Sequence, residues 1–190
     1  MIDTLKEKSF NNYFELLGVQ ERFSLDLLQI EKKRKELLLT VHPDRFSNGS
    51  DLQKRLALQW TTKINEAFAV LKDPAQRAIY LCKNKGKIFD IEKSKAFSIE
   101  VLEKQMELRE KLSEVVKDLT DKKFKPKSIN DLEHVASTML IASVEVMAKL
   151  FDLNFFQNDE VLKKIEVQIN ICLFAQKFLS ECVEVRRRFV

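Results

Sequence analysis

Apolar residues recur along most of the chain at the three- and four-residue spacing of amphipathic helices. This pattern predicts four shorter helices followed by three longer ones. Their approximate bounds are 13–17, 25–41, 51–71, 74–85, 98–122, 128–152 and 158–187. Only 3 Gly and 3 Pro interrupt the pattern, which disfavours folds that need many tight turns. The sequence therefore predicts an all-α protein.

Short-range signals mark the ends of the N-terminal helices. Ser24 is the predicted N-cap of the second helix. Pro43 must end that helix, because proline cannot continue it and pushes the preceding residue out of the α region. Asp73 is the predicted N-cap of the fourth helix, immediately before a proline. A polar loop, 42–50, is thus predicted between the second and third helices.

The polar loop begins with His42-Pro43-Asp44. Proline stiffens the turn, so the carboxylate of Asp44 is presented from a defined position to a partner's arginine. Lys35 and Arg34 lie seven and eight residues before His42, about two helical turns, which predicts that they share its face. The pattern indicates a basic helix surface beside a rigid anionic tip.

The change from four shorter helices to three longer ones divides the 190 residues into two predicted domains. The first covers 1–86, a connector covers 87–97, and the second domain covers 98–190. The three helices of the second domain carry apolar stripes and are joined by short connections. Such helices pack with their neighbours antiparallel, so we expect an antiparallel three-helix bundle.

The tripeptide and its flanking helices together resemble the J-domain, the module that activates the ATPase of DnaK-type chaperones. The segments that carry this resemblance are 13–19, 25–39, 42–46, 64–74 and 77–81. The resemblance implies a helical hairpin whose loop docks on the chaperone. By position, the docking residues would be His42, Pro43, Asp44, Arg34, Lys35 and Arg45.

The second half resembles the co-chaperones of the HscB type, which bring the iron–sulfur scaffold IscU to the chaperone HscA. The resemblance rests on 101–112 and 173–178, and in the first half on 65–68 and 77–81. It implies a helical client-binding domain and a protein without catalysis, metal or cofactor of its own. The client-binding residues carried over by position are Leu102, Met106, Glu107, Glu110 and Phe174.

Three other readings remain open from the residues. A generic J-protein that delivers other clients to DnaK would need the same first domain. An enzyme or metal protein would have to use His42 and Asp44, although His134 is the only other histidine and the three cysteines lack CxxC spacing. A nucleic-acid binder would use the basic runs 32–35 or 186–188, but the net charge is only +4 and no base-reading motif is present.

The predicted location is the bacterial cytoplasm. The first dozen residues alternate acidic and basic side chains, unlike a signal or transit peptide. No run of about 20 uncharged apolar residues is present, which disfavours a membrane span. We therefore expect neither nucleic acid nor membrane among the partners.

Overall fold

The computed structural model of the protein describes residues 10–89, 99–120, 126–153 and 158–189. Within these ranges the chain forms seven α-helices and one 3₁₀ turn, and no strand. The bounds are α1 Tyr13–Leu16, α2 Leu27–Val41, the 3₁₀ turn Pro43–Phe46, α3 Asp51–Lys72, α4 Pro74–Asn84, α5 Ile99–Thr120, α6 Pro126–Asp152 and α7 Asp159–Phe189. The all-α prediction is confirmed.

The chain divides into two compact units, Met1–Lys87 and Ile88–Val190. Most of the predicted connector, 87–97, lies outside the described residues. So do residues 1–9, on which the prediction of location largely depends.

The start of α2 differs from its prediction. Asp26, not Ser24, is the N-cap, and its Oδ1 accepts two backbone N–H groups at 2.9 and 3.2 Å. One carboxylate thereby satisfies two of the amides that a helix start leaves unpaired. The start of α4 is as predicted, because Asp73 is its N-cap and accepts the amide of Gln76 at 2.8 Å.

In the first unit, α2 pairs with α3, while α1 and α4 pack against α3. The rings of Tyr13 and Tyr80 stack with centroids 4.6 Å apart, and the Tyr80 hydroxyl accepts the Tyr13 amide at 3.0 Å. These contacts join α1 to α4. The fully buried apolar residues of this unit include Phe14, Leu17, Ile30, Val41, Ala57, Ile64, Ala67, Leu71 and Ala78.

Arg77 closes the C-terminal end of α3 from within the core. Only 6% of the residue is exposed, and its Nη1 donates to the carbonyl of Leu71 at 3.1 Å. Its guanidinium also lies over the ring of Phe23, 4.8 Å from the centroid. The cation thus satisfies a carbonyl at a helix end, where no intrahelical donor is available.

The second unit is a three-helix bundle in which each helix contacts the other two. Its core joins the C-terminal half of α5, the N-terminal half of α6 and the C-terminal half of α7, so the chain runs up, down and up. The core residues are Leu108, Leu112, Val115, Ile129, Leu132, Ala136, Phe174, Phe178 and Cys182. Arg186 ties the end of α7 to α6 by donating to Asn130 and Glu133 at 2.7 and 2.5 Å. The predicted antiparallel bundle is confirmed.

A matched pair of isoleucines provides a test of this packing. Ile165 is fully buried on α7, whereas Ile141 is 59% exposed on α6. We expect Ile165→Val to lower the free energy of unfolding by about 1 kcal/mol, because it removes a buried methyl group. Ile141→Val should change it by less than about 0.5 kcal/mol. Urea denaturation followed by circular dichroism measures both, and equal effects would contradict the packing described.

The stretch Ser128–Asp152 of α6 is apolar and long enough to cross a membrane, with a mean hydropathy of 1.3. One face of this helix carries Ala136, Ser143 and Met147, all buried. A core helix of a bundle meets the same criterion of length and hydropathy. The composition of α6 therefore does not make it a membrane span.

Candidate functional site

The tripeptide His42-Pro43-Asp44 lies where α2 gives way to a 3₁₀ turn. His42 has φ −56° and ψ 130°, the extended conformation that a following proline favours. Its Nδ1 accepts the amide of Asp44 at 3.3 Å, and its carbonyl accepts the amide of Arg45 at 3.0 Å. We call residues 42–46 the HPD turn. The sequence predicted a polar loop here but not this 3₁₀ turn.

Arg45 fastens the HPD turn to the preceding helix. Its Nη1 donates to the carbonyl of Leu39 at 2.8 Å, a group that has no intrahelical partner so close to the end of α2. Arg45 is predicted to contact the chaperone. In the structure its side chain also holds the turn against the end of α2 through this hydrogen bond.

The carboxylate of Asp44 projects from this fixed backbone into solvent. Its side chain is 90% exposed, and that of His42 is 54% exposed. The two side chains approach to 3.5 Å, from Nδ1 to Oδ2. A rigidly placed, solvent-facing carboxylate has acceptor positions open to the guanidinium of a partner.

Lys35 lies on the same side of α2 as His42. With Leu38, Leu39 and His42, it lines an open and largely apolar depression of about 340 Å³. The Nζ of Lys35 pairs with Glu31 at 3.1 Å, but both side chains are exposed and such a pair is weak. The cation therefore remains accessible to a binding partner.

Arg34 does not share this face, contrary to the prediction from spacing. Its Nε donates to Oδ1 of Asn65 at 3.0 Å, and its guanidinium lies 4.7 Å from the ring centroid of Phe68. Both partners belong to α3. One residue along a helix is a rotation of about 100°, which separates Arg34 from Lys35. Arg34 thus holds the α2–α3 hairpin, and its contact with a chaperone stays a prediction.

The apolar residues predicted to bind the client differ in exposure. Leu102 is 43% exposed and Met106 is 71% exposed, one turn apart on α5. Ile99, one turn before, is 75% exposed. Exposed Leu and Met side chains one turn apart give this face of α5 an apolar surface, and its contact with a client stays a prediction. We call Leu102 and Met106 the apolar pair.

Phe174 is buried in the bundle core, with only 9% of the residue exposed. Its ring lies 5.8 Å from that of Phe178. The guanidinium of Arg109 covers it, 5.6 Å from the ring centroid. The Phe174 ring is thus buried beneath Arg109, and its contact with a client stays a prediction. Arg109 lies within the segment 101–112 that carries the resemblance, but its place over Phe174 depends on how α5 packs against α7 and could not be read from the sequence.

The two predicted acidic residues also differ. Glu107 accepts hydrogen bonds from Nζ of Lys104 at 2.8 Å and of Lys111 at 2.6 Å. These bonds hold the pKa of the Glu107 carboxyl at about 2, so its charge is already balanced by two cations. Glu110 is exposed and has no carboxylate–cation pair within the described ranges. Of the two carboxylates, that of Glu110 is therefore the more available to a positively charged group of a partner.

The cysteines are poorly suited to chemistry at neutral pH. Cys82, Cys172 and Cys182 are free and buried. Burial raises the pKa of the Cys82 thiol to about 12 and that of Cys182 to about 11. The thiolate is the form that binds metals and attacks electrophiles. In the described part of the chain, no group of three or more His, Cys, Asp or Glu side chains is placed to hold a metal ion.

Comparison with known proteins places this geometry in a family. The DnaJ domain model matches residues 12–80. A co-chaperone protein HscB homolog of Bordetella pertussis is 38% identical over 108 residues, which cover 57% of this chain and 64% of that relative. The chain thus matches just under two thirds of the length of this relative. A co-chaperone protein HscB homolog of Shewanella halifaxensis is 34% identical over 162 residues, covering 74% of this chain and 93% of the relative.

Solved structures agree with these relatives. The chaperone HscB from Vibrio cholerae superposes with a TM-score of 0.74 at 27% identity, covering 94% of this chain and 99% of that one. Human co-chaperone protein HscB gives a TM-score of 0.81 at 19% identity, covering 94% of this chain and 84% of that one, and at that identity shows the fold alone. The first domain matches the J-domain, and the Shewanella relative is similar over nearly its whole length. The chain therefore belongs to the HscB family of J-domain co-chaperones.

Proposed function

We propose that this protein is a co-chaperone of iron–sulfur cluster assembly in the bacterial cytoplasm. It binds a scaffold of the IscU type, carries it to a chaperone of the HscA type, and stimulates the ATPase of that chaperone. The observation that carries the proposal is the HPD turn, where a 90% exposed carboxylate stands on a backbone fixed by Pro43 and Arg45. ATP is hydrolysed on the chaperone, so the co-chaperone itself needs no catalytic group.

The chemistry of the HPD turn is recognition. Asp44 presents an anion, and Lys35 presents a cation beside the apolar depression formed with Leu38, Leu39 and His42. A complementary chaperone surface would hold an arginine for Asp44, an acidic side chain for Lys35 and an apolar side chain for the depression. Such matched charges favour one docking orientation over others. Docking in a single orientation is what a conformational trigger of ATP hydrolysis requires.

The client side of the proposal rests on the apolar pair. Leu102 and Met106 are exposed on a helix of the second unit, whereas the HPD turn belongs to the first. One chain therefore has separate surfaces for two partners. Holding a scaffold and a chaperone on one molecule raises the effective concentration of one at the other. We propose that this tethering is how the client is delivered.

The test is steady-state ATP hydrolysis by a purified HscA-type chaperone, with this protein, the IscU-type scaffold, or both. We expect each to stimulate weakly alone and both together to stimulate more than the sum of the two. The matched comparison replaces HscA by DnaK. Stimulation of DnaK alone, without synergy from the scaffold, would instead favour a generic J-protein with other clients. No stimulation of either chaperone would contradict the role of the HPD turn.

A further inference from the structure

The solvent-facing side of α6 carries a stripe of mainly apolar residues near its C-terminal end. Val146 is 39% exposed and Leu153, one residue beyond the helix, is 58% exposed. Ala142 and Lys149 are exposed as well. These four residues are four, three and four positions apart, and residues at such spacings share one face of a helix. We call them the α6 stripe. Its period is the one along which a second helix can pack.

Two opposite charges at the α6 stripe have no partner in the described part of the chain. Glu145 is exposed beside the stripe, four residues before Lys149. Glu160 and Lys164 of α7 stand at the same spacing and form an ion pair of 2.9 Å. Glu145 and Lys149 form no ion pair with each other or with another described residue. Both charges are therefore available to a neighbouring molecule.

The order of these charges makes the α6 stripe complementary to itself in one direction only. If two copies of α6 lie antiparallel, with their two-fold axis level with residues 147 and 148, Glu145 of each copy stands near Lys149 of the other. In the same register, Ala142 stands opposite Leu153. A parallel pair would instead set Glu145 against Glu145 and Lys149 against Lys149, and like charges repel. The charge pattern thus favours an antiparallel second copy.

We propose that the α6 stripe is a self-association surface, occupied by the α6 stripe of a second copy of this chain. The small side chain of Ala142 leaves room for Leu153 of the other copy. The aliphatic stem of Lys149 covers Val146 of the other copy, while its ammonium group reaches Glu145 of that copy. The two-fold axis repeats each of these contacts, as it does in any symmetric dimer.

This contact is small, so the association is weak. The facing segments 142–153 are about 18 Å long at the rise of an α-helix. Such an area is at the low end for specific interfaces, and we expect a dimer Kd on the order of 0.1 mM. The protein is therefore monomeric at low micromolar concentration. Neither the HPD turn nor the apolar pair is part of the contact, so a dimer would carry two of each surface and could bind with avidity.

Sedimentation velocity of the full-length protein alone tests the proposal, independently of its function. Measured from about 10 to about 500 μM at low salt, the wild-type sedimentation coefficient should rise with concentration. Glu145→Lys alone and Lys149→Glu alone should each raise Kd at least about tenfold, because each brings only like charges together. An equimolar mixture of the two variants should associate as the wild type does, since every facing pair then has opposite signs. The control is Glu160→Lys, which should sediment like the wild type.

Three results would overturn the proposal. A wild-type protein that stays monomeric up to about 0.5 mM would show that no second copy occupies the α6 stripe. Wild-type association in both single variants would place the contact between copies elsewhere on the molecule. Association lost in both variants and absent from their mixture would mean that Glu145 and Lys149 do not face each other across the contact. Circular dichroism melting curves that coincide with that of the wild type verify that each variant is folded.

Discussion

Asp44→Asn is expected to abolish stimulation of the chaperone ATPase while the protein stays folded. The side chain of Asp44 is 90% exposed, and its carboxylate approaches only His42 within the described structure. Asparagine has nearly the same shape, and the backbone bond from the amide of residue 44 to His42 is retained. What is lost is the negative charge, and with it the charge-assisted hydrogen bonds to a partner arginine. A buried charge pair that loses one partner costs about 2–5 kcal/mol, enough to reduce stimulation to the background rate.

The control for this change is Asp51→Asn. Asp51 is also an exposed aspartate, in the first turn of α3 seven residues further along the chain. The same substitution there should leave the ATPase stimulation at the wild-type level. Circular dichroism melting curves of the variants should coincide within a few degrees. Full stimulation by a folded Asp44→Asn protein would refute the proposed trigger.

The sequence predicted the helices well because their signals are local. An apolar stripe at helical period predicts a helix from neighbouring residues alone. A proline such as Pro43 or Pro74 likewise fixes where a helix can end or begin, whatever the rest of the chain does. The one misplaced start shows the limit of such signals. Ser24 and Asp26 are both good N-caps, and only the backbone geometry makes Asp26 the acceptor of two amides. The 3₁₀ turn was missed for a similar reason, since it depends on His42 and Arg45 closing the loop.

Side-chain direction is harder to predict than helix position. Helical spacing places Leu102 and Met106 on one face, but it does not say whether that face lies against another helix. Their exposure and the burial of Phe174 follow from the way α5 crosses α7. Arg34 shows a different limit, because a spacing of eight residues already puts it about 80° around α2 from His42, and Asn65 and Phe68 of α3 hold its side chain there. The exposure of the client residues, in contrast, depends on tertiary contacts that no local pattern contains.

Replacing Leu102 and Met106 together by alanine is expected to remove most of the affinity for the scaffold. Truncation of an apolar anchor at the centre of an interface costs about 2 kcal/mol or more. Two anchors one turn apart should therefore raise Kd on the order of 100- to 1,000-fold. The fold should tolerate the change, because both residues are exposed and alanine is the best helix former. Titration calorimetry with the IscU-type scaffold measures the affinity.

The matched control is the pair Ile141→Ala, Leu153→Ala in the same unit. These apolar side chains, on the exposed face of α6 and one residue beyond its C-terminal end, are 59% and 58% exposed, comparable with the apolar pair. Their loss should leave Kd unchanged, because affinity depends on where apolar surface lies and not on its amount alone.

The ATPase assay adds a second readout. Without scaffold, the protein lacking the apolar pair should stimulate the chaperone normally through the HPD turn. Scaffold binding that survives this double substitution would place the client surface elsewhere on the bundle, and the apolar pair would then have no role in it.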